Sequence, residues 1–194
     1  METVKTETVM EELLPNGNTA KLTKYWFSYD KAPKHQIDIC QGDKEIAHYY
    51  ITVWFNGGYF DIGDVDGDNS YNKNVLLGLF EDYLTNFYEP YFEELNTVID
   101  EISYHVSNLN TFALTNPENP KHDNAVAALE FIYGANSQES IDYMTWLGDE
   151  ELSTDEELKD YLDQCNSYNC DVVKRAVEKA ENTIVDLMQQ YNFY

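Results

Sequence analysis

The pattern of hydrophobic and polar positions changes period once along this chain. From Lys24 to Ile62 it is short and alternating. Lys24–Tyr29 is rich in aromatics, and Gln36–Cys40 alternates through Ile37 and Ile39. Glu45–Phe55 places Ile51, Val53 and Phe55 on one side and Tyr50, Thr52 and Trp54 on the other, the two-residue period of a half-buried strand. Asn56-Gly57-Gly58 offers residues that accept positive φ, the mark of a tight hairpin, and Tyr59–Ile62 returns as the next strand. The pattern predicts four short antiparallel strands in a meander, with a turn at Gln41-Gly42-Asp43 and another over Asp64–Ser70.

After that turn the period becomes helical. Leu77, Phe80, Leu84, Phe87, Tyr91, Leu95, Val98, Ile102, Val106 and Leu109 recur every three or four residues, an apolar stripe of about nine turns. Pro90 lies inside it and predicts either the first turn of a second helix or a kink in one long helix. His122–Tyr133, Glu139–Leu147, Asp155–Gln164 and Asp171–Gln190 read as shorter helices. The third opens on Ser153-Thr154-Asp155-Glu156, which resembles a capping box. Residues 1–20 read as a loose tail with one helical turn near Met10–Leu14. The expected fold class is α+β: a tail over 1–20, the antiparallel sheet and long helix over 21–115, and a helical part over 116–194 packed on the same unit.

Composition adds a constraint. The chain has 194 residues, with 43% hydrophobic and 14% aromatic content, enough to build a core rather than stay disordered. No apolar run approaches the roughly 18 residues of a membrane span, and Glu2, Glu7, Glu11 and Glu12 exclude an export signal from the first fourteen residues. The three cysteines, Cys40, Cys165 and Cys170, are an odd number, which with no export signal predicts reduced thiols in a cytoplasm. Cys165 and Cys170 have no second Cys/His pair and read as small residues at a turn between helices rather than zinc ligands.

Charge changes the picture most. Thirty-six acidic against 12 basic residues leave a net of −24. Residues 1–44 contribute −1 and residues 159–194 contribute −2; residues 45–158, with Lys73 and Lys121 as their only lysines, carry −21. A chain this negative is repelled by phosphate backbones and anionic membranes, which excludes both as direct partners.

Several motifs carry candidate chemistry. Asp64, Asp66, Asp68 and Asn72 stand at positions 1, 3, 5 and 9 of a twelve-residue turn before a helix, where calcium loops place oxygen ligands. Glu45 and His48 form Glu-x-x-His, a metal spacing on a helix. On a strand, three apart means opposite faces. No Gly-x-Ser-x-Gly, His-Glu-x-x-His or phosphate-cradling Gly-x-x-x-x-Gly-Lys occurs, and no carboxylate pair is singled out, so the chain is not expected to be an enzyme. On the long helix, Asp82, Glu89, Glu93 and Asp100 fall within a strip of about 40° opposite the apolar stripe, with successive gaps of roughly 10, 6 and 10 Å. A solvated helix face ordinarily mixes signs and gains i,i+4 pairs. Between Asn74 and Leu158 the only lysine or arginine is Lys121, so those pairs are forgone. A second acidic cluster joins Asp149, Glu150 and Glu151 to Asp155, Glu156 and Glu157, the latter three at a helix N-terminus, where acids are favoured.

The nine residues Asp64–Asn72 resemble the calcium loop of EF-hand and dockerin modules, with Asn69 in place of the usual glycine and Val75 in place of the closing carboxylate. In composition the chain resembles the small phage-encoded nucleic-acid mimics of the anti-restriction and anti-CRISPR class. That resemblance implies a stoichiometric inhibitor, acting in a bacterial cytoplasm, whose acidic surface occupies the basic groove of a host defence nuclease, with no cofactor. The alternative is a calcium-responsive or generic acidic protein-binding domain. The length of the apolar stripe also allows a homodimer.

Overall fold

A computed structural model describes residues 3–67, 70–115, 118–134 and 155–194. The architecture is α+β: five antiparallel strands, then a long helix and further helices. The strands are β1 (Thr3–Leu13), β2 (Thr19–Phe27), β3 (Lys34–Gln41), β4 (Lys44–Phe55) and β5 (Phe60–Gly67), paired in chain order. The helices are α1 (Lys73–Gly78), α2 (Glu81–Asn108), α3 (Thr111–Thr115), α4 (His122–Tyr133) and α5 (Asp155–Tyr191). No helix among the described residues is long and apolar enough to cross a membrane. The chain divides into two compact units, residues 1–97 with 186–194, and residues 98–185.

In the first unit one face of the sheet is covered. The row Leu22, Ile37 and Tyr49 runs straight across β2, β3 and β4, with Ala20, Ile39 and Ala47 beside it, all buried. Phe80, Leu84, Tyr88 and Leu95 belong to the same buried core. The hairpin at Asn56-Gly57-Gly58 forms as its residues predict, with φ of 57° and 103° at the two glycines. On the covered side of the sheet, His35 is fully buried among the rings of Tyr83, Phe87 and Tyr88.

Four features depart from the pattern. Residues 3–13 are a strand, not a loose tail, so the sheet has five strands rather than four. The segment is rich in threonine and valine, which favour strands, and its pairing with β2 sets Glu11 opposite Lys21 at 3.0 Å and Glu7 opposite Lys24 at 3.1 Å. Second, β5 runs on to Gly67 where a turn was expected from Asp64. Val65, only 5% exposed, pairs with Ile51, and its burial holds the segment extended. Third, the long apolar stripe is two helices, broken at Leu79–Phe80 just after Gly78. Pro90 sits within α2 rather than starting it. The ring deprives the Asn86 carbonyl of its helical donor at a position that is solvent-exposed. Fourth, Asp155 opens a helix as its capping pattern predicts, but α5 continues for 37 residues. Cys165 and Cys170 therefore lie inside one helix, not at a turn between two. Glu139–Leu147 falls outside the described residues.

Near the end of the chain, residues 192–194 fill a gap in the sheet. The β3–β4 register stops at Gln36 opposite Tyr50, leaving that side of the last turnings of β4 vacant. Phe193 bridges Val53 in parallel, the Tyr194 N–H donates to the Val53 carbonyl at 2.8 Å, and the Phe55 N–H donates to the Tyr194 carbonyl at 2.8 Å. Phe193 is thereby buried against Phe60, Tyr88 and Phe92.

The second unit has its own core of small and branched side chains: Ala113, Leu114, Ala125, Leu129, Val172 and Ala176. Alanines at these positions let helices approach closely. His105 stacks on Phe131 with centroids 3.9 Å apart, and the Lys179 ammonium lies over the Tyr133 ring, 4.7 Å from its centroid.

Candidate functional site

The strongest chemical bias belongs to α2. Its 28 residues hold seven acids, Glu81, Asp82, Glu89, Glu93, Glu94, Asp100 and Glu101, and no lysine or arginine. Glu81 and Asp82 have a structural reason, since they occupy the first turn where the helix dipole favours negative charge. Glu94 has another: it accepts the Tyr191 hydroxyl hydrogen at 2.5 Å. Burial, followed by this carboxylate, raises the Tyr191 phenol well above its ordinary pKa, so it remains a donor. Glu89 and Glu93 have no such role. They are exposed and one turn apart, a like-charge spacing that costs a helix roughly 0.2–0.5 kcal/mol.

In the first unit these side chains join others to form a groove. Asp61 on β5 and Glu81, Glu89 and Glu93 on α2 line a cavity of about 390 Å³ whose remaining walls include Tyr59 and Phe92. Four carboxylates and the aromatic residues Tyr59, Phe60 and Phe92, without a lysine, make a receptacle for cationic side chains: the carboxylates attract them and the rings offer π-faces. The helical spacing brings Glu89 and Glu93 together. Asp61 joins them only because β5 packs beside α2, which no linear pattern indicates.

The remaining expected residues are distributed as follows. Asp82 is exposed on the part of α2 in the first unit, and Asp100 on the part in the second. Asp155, Glu156 and Glu157 form the first turn of α5. Asp149, Glu150 and Glu151 lie outside the described residues, as does Asp68. Asp64 and Asp66 are on strand β5 rather than in a loop. Asp66 pairs with Tyr50 and its carboxylate lies 4.0 Å from the Lys73 ammonium. The Asn72 Oδ1 accepts from the backbone N–H groups of Asn74 and Val75, capping α1. The expected calcium turn is thus divided between a strand and a helix cap. Among the described residues no group of three His, Cys, Asp or Glu side chains could hold a metal.

Glu45 and His48 correct a different expectation. They were placed on opposite faces of a strand, yet Glu45 Oε1 lies 3.5 Å from His48 Nδ1. The β3–β4 register shifts between Ile39 and Cys40, so that Cys40 faces Glu45 while Ile39 faces Ala47. The bulge inserts Ile46 as an extra residue and brings both side chains to one side.

A second groove, of about 720 Å³, opens at the bulge between β4 and β5. Tyr25, Tyr50, Trp54 and Tyr194 contribute rings, and Lys34 and Lys73 contribute ammonium groups. Tyr50, Trp54 and Tyr194 are each 41–47% exposed. The Lys34 ammonium donates to the Tyr194 hydroxyl at 3.3 Å. Burial pushes the Tyr25 phenol up to about 12, so it is a neutral hydroxyl here. The polar-side alternation of Tyr50, Thr52 and Trp54 was the one sequence signal for this groove. Comparison with family models, curated proteins and solved structures returns no match.

Proposed function

We propose that the protein is a non-enzymatic, stoichiometric inhibitor whose acidic surface occupies the basic groove of a nucleic-acid-binding protein, a defence nuclease of the kind that anti-restriction and anti-CRISPR proteins block. One observation carries the reading. Helix α2 holds seven acids and no lysine or arginine, and three of those acids form a groove with Asp61 and aromatic walls. A face kept only for solubility gains from intrahelical pairs, and this one forgoes them at a cost in helix stability. The carboxylates then serve an oppositely charged surface outside the molecule, where they speed encounter and select against acidic partners.

The test is capture of a partner from bacterial lysate by the intact protein, read with two competitors. Excess duplex DNA or RNA should release the captured protein, because it fills the same basic groove. Glu89→Lys with Glu93→Lys should weaken capture at least tenfold and flatten its salt dependence. A partner that neither polynucleotide nor the double variant displaces would refute the reading.

A further inference from the structure

The acidic groove accounts for the carboxylates of α2 but not for the second groove, which has the opposite chemistry. Lys73 is one of only two lysines in residues 45–158, and it lies at this groove with Lys34. Among the described residues lining it, Asp66 is the only carboxylate, and it stands 4.0 Å from Lys73, long for an ion pair. The rings are arranged as walls. Trp54 seats its indole directly on Gly63, where a Cβ atom would overlap the ring, so the indole is held in place by the strand beneath it. The Tyr194 ring meets Trp54 edge-on with centroids 6.5 Å apart. At about 720 Å³ the space falls within the roughly 300–1,000 Å³ of small-molecule sites.

We propose that this groove binds a mononucleotide, its base stacked on the Trp54 indole and flanked by the Tyr50 and Tyr194 rings, and its phosphate held by the ammonium groups of Lys34 and Lys73. Half-exposed aromatic rings offer π-faces that any planar base can use. The two ammonium groups select an anion, and lysine is suited to phosphate as a point charge. The net charge of −24 sets the size limit. A polynucleotide brings a charge at every step into a repulsive field. A single phosphate inside the groove lies close to its lysines and is screened from the distant carboxylates beyond about 8 Å at physiological salt. The ligand is therefore a monomer and not a strand.

The intact, isotopically labelled protein is titrated with AMP, adenosine and inorganic phosphate while amide and indole signals are followed. AMP should give saturable shifts at Trp54, Gly63 and Lys73. Adenosine should move the same signals about tenfold more weakly, and phosphate alone should not move the indole. Lys73→Gln, and Lys34→Gln, which also releases the Tyr194 hydroxyl and so shifts the Tyr194 signals, should each weaken AMP about threefold while the remaining spectrum stays folded. The proposal is overturned by the absence of saturable shifts at millimolar AMP, by equal binding of AMP and adenosine, or by lysine variants that bind AMP as the parent does. Tighter binding of a single-stranded oligonucleotide than of AMP would overturn the restriction to monomers.

Discussion

His35 makes the stability of the first unit depend on pH, and the magnitude can be worked from its surroundings. Its side chain is fully buried against the rings of Tyr83, Phe87 and Tyr88, with Lys24 the nearest charge of consequence. Nδ1 is 2.8 Å from the Tyr88 hydroxyl, which itself donates to the Pro33 carbonyl at 3.1 Å. The single phenol hydrogen is thereby used, so Nδ1 carries the imidazole hydrogen and donates. Nε2 is left with a lone pair and no partner. Protonation would place a charge and an unpaired donor at that atom. Burial first, and Lys24 second, lower the pKa from 6.5 to about 3. The folded value lies below the unfolded one, so the unfolded chain takes up the proton first. The stabilisation is complete above pH 6.5 and is lost as the pH falls from 6.5 towards 3, at up to about 1.4 kcal/mol per pH unit. Between pH 7 and pH 5 the loss is about 2 kcal/mol. Protonation of the many carboxylates acts in the other direction by relieving repulsion, so the parent curve alone cannot isolate the effect. His35→Phe can. It fills the same aromatic surroundings, leaves Tyr88 donating to Pro33, and removes the titrating nitrogen. Urea unfolding of both proteins at pH 7, 6 and 5 should give a parent-minus-variant difference that falls by about 2 kcal/mol over the range. A difference that stays constant with pH would refute the argument.

Three other outcomes follow from the packing. Gly63→Ala should destabilise the protein by about 1–3 kcal/mol in urea unfolding, because the new methyl displaces the Trp54 indole, and it should shift Trp54 fluorescence. Tyr191→Phe should cost about 1–2 kcal/mol by thermal or urea denaturation, since it removes the donor to Glu94 from a side chain that is 1% exposed. Calcium at millimolar concentration should leave the melting temperature unchanged, because Asn72 is occupied as a helix cap and Asp66 is held in a strand; a saturable rise would show ligands brought together from elsewhere.

Local signals were legible where one chain segment settles its own structure. The glycine pair at 57–58, the alternation in β4, the helical period of α2 and α4 and the start of α5 at Asp155 all follow from neighbouring residues. Signals failed where a distant segment decides. The N-terminal segment becomes a strand by pairing along β2, where Lys21 and Lys24 stand opposite its Glu11 and Glu7. Asp64 and Asp66 are drawn into β5 by the burial of Val65 opposite Ile51. Glu45 and His48 meet because a bulge against β3 inserts Ile46, which a strict two-residue period cannot express.

By itself the sequence determined the α+β class, the position of the long acidic helix and the concentration of −21 of the charge in residues 45–158. These are properties of composition and period, and they survive any packing. Only the tertiary structure decided which carboxylates act together and where the scarce lysines point. Asp61 joins Glu81, Glu89 and Glu93 because β5 lies along α2. Lys34 and Lys73, which are 39 positions apart, line one aromatic groove because α1 packs by β5, whose bulge opposite Thr52 opens the groove beside the sheet. Charge is written residue by residue, but a site is made by distance, and distance is settled by burial of the apolar faces that bring those residues together.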